Sequence, residues 1–152
     1  MTDQEVYELL IRIDVGYSPS EEEKRKLSSI ESIKWTKITQ LPKSMSMLSG
    51  LVKFVLMDSG VGDITAISGL TGLTNLDLSY NLVLRDISAL SGMTGLTNLD
   101  LGHTNVSDIS VISGMKGLIN LDLSHTRVSD ISVISGMTGL TNLDLSQVRI
   151  CV

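Results

Sequence analysis

Leucines along this chain alternate with polar residues over short stretches, and the stretches recur on a long period. Leu73-Leu76-Leu78, Leu96-Leu99-Leu101, Leu118-Leu121-Leu123 and Leu140-Leu143-Leu145 share one frame, and Leu51-Phe54-Leu56 precedes them in it. The first residues of these five frames lie 22, 23, 22 and 22 positions apart. Alternation with a period of two predicts a short strand with its leucines on one face. Val106, Ile109 and Ile112 then follow at spacings of three, which suits a 3₁₀ or turn-like return path, and Ser113-Gly114 punctuates the bend. Thr94–Met115 and Lys116–Met137 differ only at Thr94/Lys116, Thr97/Ile119, Gly102/Ser124 and Asn105/Arg127. One such unit cannot bury its leucines alone. Neighbouring units must stack at strand spacing, about 4.8 Å, into an α/β solenoid with a parallel β-sheet on the concave face and a 3₁₀/turn convex side.

Ahead of the repeats the period changes. Val6, Leu9, Leu10 and Ile13 fall at i, i+3, i+4 and i+7, predicting an amphipathic helix over Asp3–Ile13 capped by Thr2 or Asp3 and ended by Gly16. Ser20 with Glu23 reads as a capping box opening a second helix through about Leu27. A solenoid exposes its first hydrophobic row unless something covers it, so residues 1–29 are expected to form an N-terminal helical cap and 30–152 the repeats, as one continuous domain. Ile30, Ile33 and Trp35 make an imperfect first frame, with Trp35 expected beneath the cap. Leu41, Met45 and Leu48 follow as its return path. The residue that lengthens one spacing to 23 lies in Tyr80–Arg85, where a bulge on the turn side is expected.

LxxLxL followed by a turn and VSDIS resembles the leucine-rich repeats of the bacterial internalin family. That resemblance implies a helical N-terminal cap, an exported or surface location, and recognition of a protein partner. The family pattern places an Asn three positions after the LxL strand, bonding backbone groups of the turn. Here the column reads Ser59, Asn81, Thr104, Thr126 and Val148, so only Asn81 matches and a softer turn is expected.

Composition narrows the partners. At 152 residues and 16.4 kDa, 42% of them hydrophobic, the chain can bury a solenoid core. A net charge of −5 and pI near 4.9 oppose nucleic acid or anionic membranes and mildly favour cationic partners. No apolar run reaches the roughly 18 residues of a membrane span, and no basic-then-apolar leader follows Met1. Cys151 is the single cysteine, which excludes an internal disulfide or a thiolate metal cage.

Side chains between the leucines point to the concave face. One column reads Lys53, Asn75, Asn98, Asn120, Asn142; the next Val55, Asp77, Asp100, Asp122, Asp144; then Met57, Ser79, Gly102, Ser124, Ser146; and beyond it Asp58, Tyr80, His103, His125, Gln147. Like charges at strand spacing repel by about 1 kcal/mol per pair even in water, so the aspartate row is a candidate docking strip for a partner with a basic patch. The Asn column would supply hydrogen bonds beside it, and Tyr80 a contact anchor. The bland alternative is a solvated surface copied from unit to unit. A flat carboxylate row has too few converging oxygens for Ca²⁺, and His103 with His125 lacks a third soft ligand, so no metal or cofactor is expected. Asp63, Asp86, Asp108 and Asp130 precede the return path and read as backbone caps. No nucleophile–histidine–acid set, phosphate loop or zinc spacing points to an enzyme. The last unit stops after its strand, so Leu140, Leu143, Leu145, Ile150 and Cys151 are expected to offer an uncapped end for self-association. An intracellular regulatory scaffold, or a repeat array without a specific ligand, are the competing readings.

Overall fold

The structure, a computed structural model, describes residues 1–148. Two helices, α1 (Asp3–Asp14) and α2 (Glu21–Ser28), precede six short strands: β1 (Ser32–Thr36), β2 (Lys53–Met57), β3 (Asn75–Asp77), β4 (Asn98–Asp100), β5 (Asn120–Asp122) and β6 (Asn142–Asp144). The strands form one parallel sheet in chain order, β1 to β6. Between them run 3₁₀ turns at Lys43–Met47, Thr65–Ile67, Ser88–Leu90, Ser110–Gly114 and Ser132–Gly136.

Both helix starts are built as the capping boxes require. The Glu5 N–H donates to Thr2 Oγ1 at 3.2 Å and the Thr2 N–H to Glu5 Oε2 at 2.7 Å; Ser20 and Glu23 exchange the same pair at 3.2 and 2.7 Å. Trp35 sits beneath the cap. Its Nε1 donates to the Asp3 carbonyl at 2.8 Å, and its ring makes edge-to-face contacts with Tyr7 and Phe54. Asp3 also turns its carboxylate to the β1 backbone, accepting from the Lys34 N–H at 2.8 Å. A parallel edge otherwise left with free N–H groups is thereby partly satisfied.

The frame leucines make one continuous core: Leu76, Leu99 and Leu121 are each 2% exposed, and Leu78, Leu101 and Leu123 fully buried. Val106, Ile109 and Ile112 close it from the convex side. In β6 the same positions open, with Leu143 40% exposed and Leu140 and Leu145 half-buried. Ile150 and Cys151 lie outside the described residues.

The extra residue forms a tight turn in which the Leu84 N–H donates to the Asn81 carbonyl at 3.0 Å. Asn105 fastens this turn from the next coil, its N–H donating to Leu84 O at 3.0 Å and its Nδ2 to Leu82 O. Leu84 stays in the core while Leu82 and Val83 are pushed out, 65% and 53% exposed. In the turn column, Asn81 is buried and its Nδ2 reaches two coils, donating to Leu56 O at 2.6 Å and Leu78 O at 2.8 Å. Thr104 and Thr126 reach only their own coil, at 2.7 Å to Leu101 O and 2.6 Å to Leu123 O.

Candidate functional site

Strand register decides what shares the concave face. Asn75, Asn98, Asn120 and Asn142 are paired in sequence across β3–β6, and so are Asp77, Asp100, Asp122 and Asp144. Each row flanks a leucine that points inward. Together they floor an open hollow of about 630 Å³ that begins at Lys53 and ends at Asp144.

The asparagine amides are largely spent on one another. Asn98 Nδ2 donates to Asn75 Oδ1 at 2.6 Å, Asn120 Nδ2 to Asn98 Oδ1, and Asn142 Nδ2 to Asn120 Oδ1. A further donation runs from Asn75 to Thr74 Oγ1 (2.8 Å), Asn98 to Thr97 (2.9 Å) and Asn142 to Thr141 (3.2 Å). Asn120 follows Ile119, which has no hydroxyl to accept, and Asn75 has Lys53 rather than an asparagine before it in the row, so each of these two amides keeps a second N–H for a visitor. The recurring Thr-Asn dipeptide is the signal in the sequence that could have disclosed this chain of amides.

The aspartates are differently held. Each takes the N–H two residues on through Oδ1: Ser79 to Asp77 at 2.9 Å, Gly102 to Asp100 at 2.8 Å, Ser124 to Asp122 at 2.7 Å and Ser146 to Asp144 at 2.7 Å. That bond fixes the carboxylates as a row. At Gly102 a Cβ would come within 3.1 Å of Asp100 Oδ1 and Ser124 Oγ and 3.2 Å of Asp122 Oδ1, so the row is tightest there. Burial pushes the Asp100 carboxyl up to about 6, against the Gly102 N–H; the charges of Asp77, Asp122 and Asp144 push the same way as burial. At the open strand, the Ser146 backbone bond instead holds Asp144 below its ordinary value. The ion pairs among the described residues are Lys24–Glu21 and Lys26–Glu22, both on α2, so no Lys or Arg pairs with the row, and only His125 acts on it, lowering Asp144.

Tyr80, His103 and His125, expected beyond the strand columns, lie past the strand ends. Strands β3–β6 stop at their aspartates, β1 and β2 two residues further on at Thr36 and Met57, and Lys37, Asp58, Tyr80, His103, His125 and Gln147 all adopt left-handed backbone, φ 48–59°. That region is uncommon for residues other than glycine, and its recurrence in six coils makes it a requirement of the turn. Their side chains consequently stand at the rim. The rings stack, Tyr80 on His103 at 4.3 Å and 11°, His103 on His125 at 4.1 Å and 15°, with Tyr80 49% exposed. Parallel imidazoles direct their lone pairs alongside each other, so the pair is not arranged to share a metal. Among the described residues no group of three metal-ligating side chains converges.

The return-path aspartates cap the turns. Asp63, Asp86, Asp108 and Asp130 accept from Thr65, Ser88, Ser110 and Ser132 N–H at 2.8–2.9 Å, and those backbone bonds lower each carboxyl below its ordinary value. All ten expected site residues thus fall on one face and its rim. The exposed Leu82 and Val83 beside Tyr80 were not among them.

Residues 71–114 match the family described as Leucine Rich repeats (2 copies). Among solved structures, the chain is similar to the internalin InlF of Listeria monocytogenes, at 27% identity and TM-score 0.78, over 99% of this chain and 44% of that one. It is similar in fold to the functional domain of InlJ from the same organism (20%, 0.71; 82% and 27% covered). The ectodomain of the Arabidopsis receptor kinase HAESA, solved in complex with an IDA peptide hormone ligand, also shares the fold (22%, 0.66; 77% and 21%). No curated protein matches. The chain has the leucine-rich repeat fold. In that fold it is similar to the internalin InlF, and it spans less than half of InlF's length.

Proposed function

We propose that this chain is a protein-recognition module whose concave sheet face docks a basic patch of a partner protein. The observation that carries the reading is the row Asp77–Asp100–Asp122–Asp144, held in register with no Lys or Arg paired to it among the described residues. Uncompensated charge in register is relieved by an incoming Lys or Arg, which gains attraction to several carboxylates at once. Leucine-rich repeat neighbours support interaction over catalysis, and a peptide occupies one of them, the HAESA ectodomain. The self-bonded asparagines stiffen the floor, leaving recognition to the aspartates, the second N–H groups of Asn75 and Asn120, and the rim rings.

A lysine-rich synthetic peptide tests this. Wild-type protein should bind it with an affinity that falls steeply as salt rises, while Asp100→Lys with Asp122→Lys abolishes binding and leaves the circular dichroism unchanged. Equal affinity in the folded double variant would remove the docking strip.

A further inference from the structure

Resting on that reading of the concave face, we infer that the basic patch it fits is one seam of an α-helix laid along the sheet, across the strands. The spacing of the two rows carries this. Consecutive aspartates are register partners on adjacent strands, so the row climbs by one strand spacing per charge, about 14 Å over its three steps. A helix presents one side chain per turn on a given line, and three turns rise about 16 Å. The two differ by about 2 Å over the whole row, which flexible lysine stems absorb. An extended segment presents every second side chain, about 20 Å for the same three steps, and falls out of step after the first contact.

The rim supplies a second row at the same spacing. Tyr80, His103 and His125 stack at 4.3 and 4.1 Å, so their edges form a strip parallel to the carboxylates, with Tyr80 49% exposed. Beside its basic seam the visiting helix therefore meets an aromatic border. The complementary partner is a basic amphipathic helix, with Lys or Arg at i, i+4, i+7 and i+11 and apolar residues along one flank.

Alanine-rich synthetic peptides of about five helical turns, roughly 18 residues, test it on the intact protein. One carries four lysines in the seam, a second carries the same lysines scattered round the helix, and a third keeps the seam positions but has two central prolines that prevent a helix. At low salt the seam peptide should bind about tenfold or more tighter than either of the others, and Asp100→Asn with Asp122→Asn should erase that advantage. If all three peptides bind alike, and all lose affinity in the variant, the aspartate row docks cations but the helix inference is overturned. If the proline peptide binds best, an extended partner replaces the helix. If none binds, the docking reading fails and takes the inference with it.

Discussion

Asn98-Leu99-Asp100 and Asn142-Leu143-Asp144 are the same tripeptide in the same strand conformation, in one sheet, and they behave differently. Leu99 is 2% exposed and Leu143 40%. Asp100 is pushed up to about 6, whereas Asp144 is held below its ordinary value. One local difference separates them: two positions on, Asp100 has Gly102 and Asp144 has Ser146, whose side chain also lowers the carboxyl. The other difference is that β4 has a paired coil on each side, while β6 has only β5 among the described residues. In a solenoid, burial and charge are properties of the stack, and a residue's identity sets only what it contributes once stacked.

The largest expected contrast is in the core. Leu99→Ala should cost about 2–5 kcal/mol in urea unfolding, and Leu143→Ala clearly less, because a half-open site leaves little cavity. Equal losses would mean that coil position does not govern burial. The turn column sharpens the point with unlike residues at one place. Asn81→Ala strips donors from carbonyls in two coils and should cost about 2–3 kcal/mol, against about 1 kcal/mol for Thr104→Ala, which bonds only its own coil.

The smallest contrast is electrostatic. Asp100 has a folded value above its unfolded one, so its charge opposes folding fully above pH 6, and the opposition fades as pH falls from about 6 toward 4. Asp100→Asn should be more stable than wild type at pH 7.5 by about 1–2 kcal/mol after solvent screening, with the gap closing near pH 4. The capping aspartates Asp63, Asp86, Asp108 and Asp130 act oppositely, since their lowered values stabilise the fold above pH 4 and that stabilisation is lost as they protonate. Asp144→Asn should not reproduce the Asp100 gain.

The fold was legible because its information is periodic. A leucine frame repeated five times specifies register, inward face and core together, and the Ser20–Glu23 and Thr2–Glu5 boxes mark the cap. The 23-residue spacing located the bulge, though not which side chains it would expel. The site was legible as rows and obscure in its chemistry. Alternation places Asn and Asp outward, but whether an amide faces solvent or its neighbour depends on contacts 22 or 23 residues away. The rim rings were legible as a column beyond the strand, but not their backbone, because a left-handed turn leaves no mark in a side-chain alternation. Six different residues occupy that conformation, so composition does not signal it either.

The hand-to-hand chain of asparagines has one more implication. Asn98 and Asn120 each receive from the next coil through Oδ1 and give to the previous one through Nδ2, while Asn75 only receives and Asn142 only gives, so the chain has a head and a tail. A duplicated unit inserted anywhere along it would join without leaving a mismatched pair. The proposed recognition surface can therefore lengthen by evolution in whole increments, each adding one carboxylate and one amide, as a ruler is extended by adding another division.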